Sequence, residues 1–236
     1  MIPKYEKHER VVTIDALRLE YEGKKILDGI SLHIDNIVRP GMNQGQVVSL
    51  LGPSGIGKTQ LFRCIAGLQK PTSGMVTLNG STKPVQAGEV GVVFQSYPLF
   101  KHRTLWSNLK LAADRSMKTD AEINILLDQF SLSDKKKLFP AQLSGGQKQR
   151  VAIIQQLLCS EHFILMDEPF SGLDVLMKKK VCELISKVST IHELNTFIIT
   201  SHDIATAVAI SDTIWVLGRN RNADGTPIPG AICVKE

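Results

Sequence analysis

An α/β fold is predicted, with a mostly parallel core sheet, an antiparallel β subdomain near the N-terminus and an α-helical subdomain inserted into the core. Three features of the sequence carry this expectation. The apolar runs at 47–51, 90–94, 163–166 and 197–200 are continuous rather than alternating, as in strands buried on both faces of a parallel sheet. Residues 11–34 instead roughly alternate, as antiparallel strands with one buried face do. Between Gln95 and Cys159 apolar residues recur at helical spacing, with no convincing strand.

In order along the chain, residues 12–19 form the first alternating strand, with Tyr21 at its edge. The runs 26–27 and 30–34 follow the turn at Gly23. Residues 35–46 hold Pro40, Gly41 and Gly45 and read as a surface loop. The run 47–51 enters a glycine-rich loop and then a helix through Leu61, Phe62 and Ile65. Residues 67–74 connect to a short strand over 75–80 that ends in an Asn79-Gly80 turn. Helices are expected over 105–113, 121–130, 147–158 and 175 to about 190, the last apolar at Val181, Leu184, Ile185 and Val188. Residues 212–236 read as a strand, a turn at 222–225 and a return strand at 232–234. The expected division is a single domain over 1–236. An α/β core with its antiparallel subdomain covers 1–95 and 160–236, and the inserted helical subdomain covers 96–159.

A chain of 236 residues, 43% hydrophobic, can bury one sizeable core. Its formal charge of +5 comes from dispersed Lys and Arg, with tight runs only at 135–137 and 178–180, which suit solvated faces better than a nucleic-acid track. The four cysteines lie far apart without a C-x-x-C pair, so neither a zinc site nor a disulfide framework is implied, and a reducing compartment fits. No apolar run reaches the ~20 residues of a membrane span, so any membrane role is expected to come through a partner.

The chemistry concentrates at Gly52, Pro53, Ser54, Gly55, Ile56, Gly57, Lys58 and Thr59, with Gln60 next. The spacing G-x-x-x-x-G-K-T between a strand and a helix lets backbone amides turn inward around a phosphate at a helix N-terminus. Lys58 would reach the β- and γ-phosphates, and Thr59 would offer its hydroxyl to Mg2+. The strand over 163–166 delivers Asp167, suited to the metal, and Glu168, suited to polarising an attacking water. Ser144, Gly145, Gly146 and Gln147 open a helix and form a second anion-binding concavity. One nucleotide needs one cradle. Two are explained by a head-to-tail dimer in which each nucleotide lies between the first loop of one copy and the second loop of the other. Plainer readings stay open one by one: Gln95 ends a strand, Ser144 caps a helix, Tyr21 is an edge aromatic, His202 is a surface histidine.

In combination these residues resemble the ATP-binding subunits of ABC transporters. GPSGIGKT at 52–59, Gln95, LSGGQ at 143–147, ILMDEP at 164–169, SGLD at 171–174 and TSHD around His202 stand in that family's order over nearly the whole chain. The resemblance implies a RecA-like P-loop core and ATP with Mg2+ as cofactors. It also implies that Tyr21 stacks on adenine, Gln95 senses the γ-phosphate and magnesium, Glu168 is the general base, His202 positions the water, and Asp174 lies in the segment that crosses the dimer. Thr59, Gln95 and Asp167 are the implied metal ligands. Further expectations are a head-to-tail homodimer on ATP, separate membrane permease subunits, a separate substrate-binding protein, no nucleic acid, and a peripheral place on the cytoplasmic face of the membrane. Solute import is the leading reading, with a weak lean toward the nitrate, sulfonate and taurine type. A non-transport ATPase serving cofactor assembly and an exporter or lipid-transport ATPase are the alternatives. One departure from the family pattern is Gln155, where an arginine is usual. Contacts between lobes are expected to differ there.

Overall fold

The computed structural model describes residues 6–38, 45–159, 162–189 and 195–235. Its first unit is a three-stranded antiparallel sheet in the order β2-β1-β4, formed by β1 (Glu6–Tyr21), β2 (Lys24–Val38) and β4 (Ser73–Leu78). The alternation of β1 is only rough because its phase slips once. Val12 and Ile14 are buried, then Leu17 and Leu19, with Ala16 at φ 42° in the bulge between them. Gly74 faces that bulge, and a Cβ there would meet the Asp15 carbonyl oxygen at 2.4 Å. Only glycine, at φ 76°, fits this crossing.

The second unit is a six-stranded sheet in the order β5-β6-β7-β3-β8-β9. It comprises β3 (Gln46–Leu51), β5 (Gly91–Val93), β6 (Phe163–Asp167), β7 (Thr196–Ser201), β8 (Thr213–Gly218) and β9 (Ile232–Lys235). All neighbours pair in parallel except β9, which runs antiparallel to β8. The continuous apolar runs are divided between two clusters. Val48, Leu50, Leu165 and Ile198 face α1 (Lys58–Ile65) and the antiparallel sheet, while Val47, Ile164, Met166, Phe197 and Ile199 face the helices on the other side. Burial on both faces leaves no polar phase in the sequence, hence the runs.

Those helices are α2 (Leu105–Arg115), α3 (Asp120–Gln129), α4 (Gly145–Cys159) and α5 (Val175–Ser189). Their starts are set by capping side chains. Thr104 accepts from the Ser107 amide, and Thr119 forms a reciprocal box with Glu122. One apolar cluster runs from Leu105, Ile123 and Leu127 through Val151, Ile153 and Ile154 to the strand faces. Gln155, in the place of the expected arginine, donates to the Asn108 carbonyl at 3.3 Å, bridging α4 to α2. Its neighbour Gln156 accepts from the Val92 amide at 3.0 Å, so a helix side chain covers the open edge of the sheet at β5.

Two readings of the sequence are corrected. Residues 35–38 are not loop but the end of β2, paired with the start of β1 as Arg10↔Asp35, Lys7↔Ile37 and Glu6↔Val38. Pairing across the hairpin outweighs the low strand propensity of Asp35 and Asn36. Pro40, Gly41 and Thr190 lie outside the described residues. A short helix, α6 (Ile204–Ile210), was not anticipated, and Asp203 caps it by accepting from the Thr206 amide at 3.1 Å.

Asn108 is fully buried at the hub of the connection entering α2. Its Oδ1 accepts from the Phe100 amide at 2.8 Å, and the two hydrogens of its Nδ2 are shared among the carbonyls of Phe100, Arg103 and Thr104 at 3.2, 3.1 and 2.9 Å. The loop is thus folded around one carboxamide, which leaves Phe100 half exposed beside Arg103. Asn108→Ala is expected to lower unfolding free energy by roughly 2–4 kcal/mol, because several buried backbone groups lose their partner at once. Denaturant unfolding followed by circular dichroism measures it.

Candidate functional site

Because β3, β5, β6 and β7 run in parallel, the residues that follow each strand emerge at one end of the sheet. Lys58 follows β3 through the glycine loop, Gln95 lies two residues beyond β5, Asp167 ends β6 with Glu168 next, and His202 directly follows β7. The glycine loop reaches α1 through Gly55 at φ 74° and Gly57 at φ 117°, both in the left-handed region. Gly57 is the N-cap residue of α1 and offers no side chain to cap it. No side chain therefore competes with a ligand for the amides that open the helix.

Lys58 is buried, at 7% exposure, and its Nζ donates to the Gly52 carbonyl at 2.8 Å and the Pro53 carbonyl at 3.3 Å. The same ammonium lies 3.6 Å from Glu168 Oε1. The other oxygen of Glu168 lies 2.9 Å from His202 Nδ1. One carboxylate thus spans the lysine of the glycine loop and the histidine beyond β7. Glu168 also holds a left-handed φ of 48°, a strained conformation for a side chain of this kind.

His202 is positioned from behind. The next residue, Asp203, takes the Lys178 ammonium at 2.5 Å, and this bond, with the amide of Thr206, pulls the Asp203 carboxyl down to about 2. Lys178 stands in the first turns of α5, so the ion pair ties α5 to the turn that carries His202.

The remaining expected site residues fall around this line or apart from it. Thr59 is exposed in the first turn of α1, and Gln95 is exposed. Tyr21 ends β1, about two-fifths exposed, and its hydroxyl donates to Gln60 Oε1 at 3.1 Å, linking the expected aromatic platform to α1. Ser144 and Gln147 form a reciprocal box at the start of α4: Gln147 Oε1 accepts from the Ser144 amide at 2.8 Å, and Ser144 Oγ accepts from the Gln147 amide at 3.3 Å. Gly145 is exposed, and Gly146 lies beside Met177. Asp174 caps α5 by accepting from the Met177 amide at 2.9 Å. Among the described residues no hydrogen bond or ion pair joins 144–147 to the glycine loop. Within one chain the two cradles are separate surfaces.

Thr59, Asp167 and Gln95 could hold magnesium. They offer a hydroxyl, a carboxylate and a carboxamide, an all-oxygen set of the kind this ion prefers when phosphates supply its other ligands. Sequence reading missed Thr200 and Lys178. Thr200 closes an apolar run and opens the TSHD motif, where only His202 was given a role, and Lys178 read as a solvated charge in a lysine run.

The family whose description is "ABC transporter" matches residues 36–171. The chain is 38% identical over 213 residues to the spermidine/putrescine import ATP-binding protein PotA of Protochlamydia amoebophila, covering 86% of this chain and 56% of that protein. It is also 38% identical over 230 residues to the sulfate/thiosulfate import ATP-binding protein CysA of Brucella melitensis biotype 1, covering 92% of this chain and 61% of the relative. The chain thus spans about three-fifths of the length of these relatives. Among solved structures, cbiO1 from Clostridium perfringens, described as part of the ABC transporter complex cbiONQ, superposes with a TM-score of 0.75 at 26% identity, covering 89% of this chain and 85% of that one. The glycine loop, the strand-end carboxylates, the LSGGQ helix start and this shared fold lead to one conclusion: the chain belongs to the ABC transporter family.

Proposed function

We propose that this chain is the ATP-hydrolysing subunit of an importer, working as a head-to-tail pair on separate membrane permease subunits at the cytoplasmic face of the membrane. The observation that carries the reading is the line Lys58–Glu168–His202 at the carboxyl end of the sheet, where the glycine loop opens. The relatives above are named as import proteins, which favours import over export. Among the described residues no helix is long and apolar enough to cross a membrane; in this reading the translocation path is supplied by the permease subunits.

In this mechanism the amides of the glycine loop and Lys58 bind the β- and γ-phosphates, and Tyr21 stacks on adenine. Glu168 accepts the proton of the attacking water, while His202 holds that carboxylate and the γ-phosphate in line. Magnesium, when bound by Thr59, Asp167 and Gln95, supplies neutralisation of developing phosphate charge. Ser144, Gly145, Gly146, Gln147 and Asp174 serve the nucleotide of the second copy, and residues 96–159 act as the lobe that carries them. Closing on two ATP molecules and opening after hydrolysis turns phosphate chemistry into a rigid-body movement. A separate substrate-binding protein would deliver the solute.

Analytical ultracentrifugation of the chain with ATP and a hydrolysis block tests the pairing, and co-recovery of a multi-span membrane protein tests the partner. A dimer that appears only with nucleotide is the expected result. A monomer at every ATP concentration, with a soluble scaffold as the recovered partner, would overturn the reading.

A further inference from the structure

Thr200 is completely buried in β7, with Asp167 on β6 and Leu50 on β3 as its register partners on either side. A hydroxyl in the middle of a sheet covered on both faces is costly unless bonded. Both of its bonds go to the same short turn. Thr200 Oγ1 donates to Asp167 Oδ1 at 2.6 Å and accepts from the Glu168 amide at 2.9 Å, and that amide also approaches the Thr200 carbonyl oxygen at 3.2 Å. Satisfying the hydroxyl would need only one partner. Here it joins the carboxylate suited to magnesium to the backbone of the residue suited to accept a proton, at the point where that backbone takes its strained φ of 48°.

From this we infer that Thr200 is a positioning residue of the nucleotide site: its hydroxyl orients Asp167 toward the metal and holds the Glu168 turn in register. The inference rests on the ATPase reading above. A donated hydrogen bond restrains the Asp167 carboxylate through one oxygen, so less side-chain freedom remains to be lost when the other meets the metal. The accepted bond helps offset the strain at Glu168. Thr200 touches neither nucleotide nor water in this scheme and acts through its two neighbours.

The test compares T200V, nearly isosteric but without the hydroxyl, with T200S, which keeps the hydroxyl and loses the methyl. Manganese binding in the presence of a non-hydrolysable ATP analogue is read by the loss of the free-ion electron paramagnetic resonance signal. Nucleotide affinity in EDTA is read by fluorescence of a labelled analogue. Metal affinity is expected to fall about tenfold or more in T200V, to stay near wild type in T200S, and nucleotide affinity in EDTA to be unchanged in both. Should T200V not fold, T200A against T200S isolates the same single oxygen and carries the same expectation. Unchanged metal affinity in the variant without the hydroxyl, or an equal loss of metal-free nucleotide binding, would overturn the inference. So would T200S proving the worse of the pair, since packing alone would then set the effect. These are equilibrium measurements, so a wild-type chain that binds nucleotide and metal without turnover would sink the ATPase reading and leave this test standing.

Discussion

Glu168→Gln is expected to lower ATP turnover by roughly 10²–10⁴-fold while nucleotide binding survives. Glutamine has the shape of glutamate and can still meet Lys58 and His202 Nδ1, so the local geometry is kept while the negative charge and the capacity to take a proton are removed. ATP that is bound but not consumed should trap the closed pair, visible as a dimer in a sedimentation profile. Single-turnover assays separate this from a binding defect, because the loss should lie in the chemical step at saturating ATP. Turnover within twofold of wild type would remove Glu168 from the role of base.

Lys58→Ala is expected to act one step earlier. The ammonium is held at the mouth of the glycine loop by two carbonyls, and in the proposed mechanism its charge-assisted bonds to phosphate oxygens would be worth about 1.5–3 kcal/mol. Nucleotide Kd should therefore rise roughly ten- to hundredfold. Calorimetric titration with ATP reads this directly. The change also removes the cationic neighbour of Glu168, so the two variants should not be additive. Affinity equal to wild type would mean that the loop does not hold the phosphates.

Lys58 and Glu168 were both legible in the sequence. The glycine loop and the runs that became β6 and β7 were readable because each is local: a strand buried on both faces has no polar phase, and a cradle needs its glycines at fixed spacing. Asp167, Glu168 and His202 were found for the same reason, as polar residues that close apolar runs. Thr200 and Asn108 were not, because a single polar side chain inside an apolar pattern shows its partners only after strands far apart in sequence are paired. The end of β2 was misread since Asp35 and Asn36 argue for a loop locally, and it is β1 across the hairpin that keeps them extended. The seven residues of α6 are too few to display a helical period. Ser144 caps its own helix by accepting from the Gln147 amide, the plainer of the two readings that its motif left open.

The strand β9 bears on when the molecule becomes competent. The Ala231 carbonyl accepts from the Asp28 amide at 2.9 Å and the Ala231 amide donates to the Ile26 carbonyl at 2.8 Å, while the strand that follows pairs with β8. Leu27, between those two residues, packs at Gly57, where an added Cβ would meet it at 3.0 Å. The flank of the glycine loop is therefore stitched by a segment that lies far from it along the chain. Such contacts, distant along the chain, close slowly. Until residues 231–235 are in place the glycine loop stands beside an unfastened wall, so that flank is expected to be completed late in folding, after the local contacts of the loop itself.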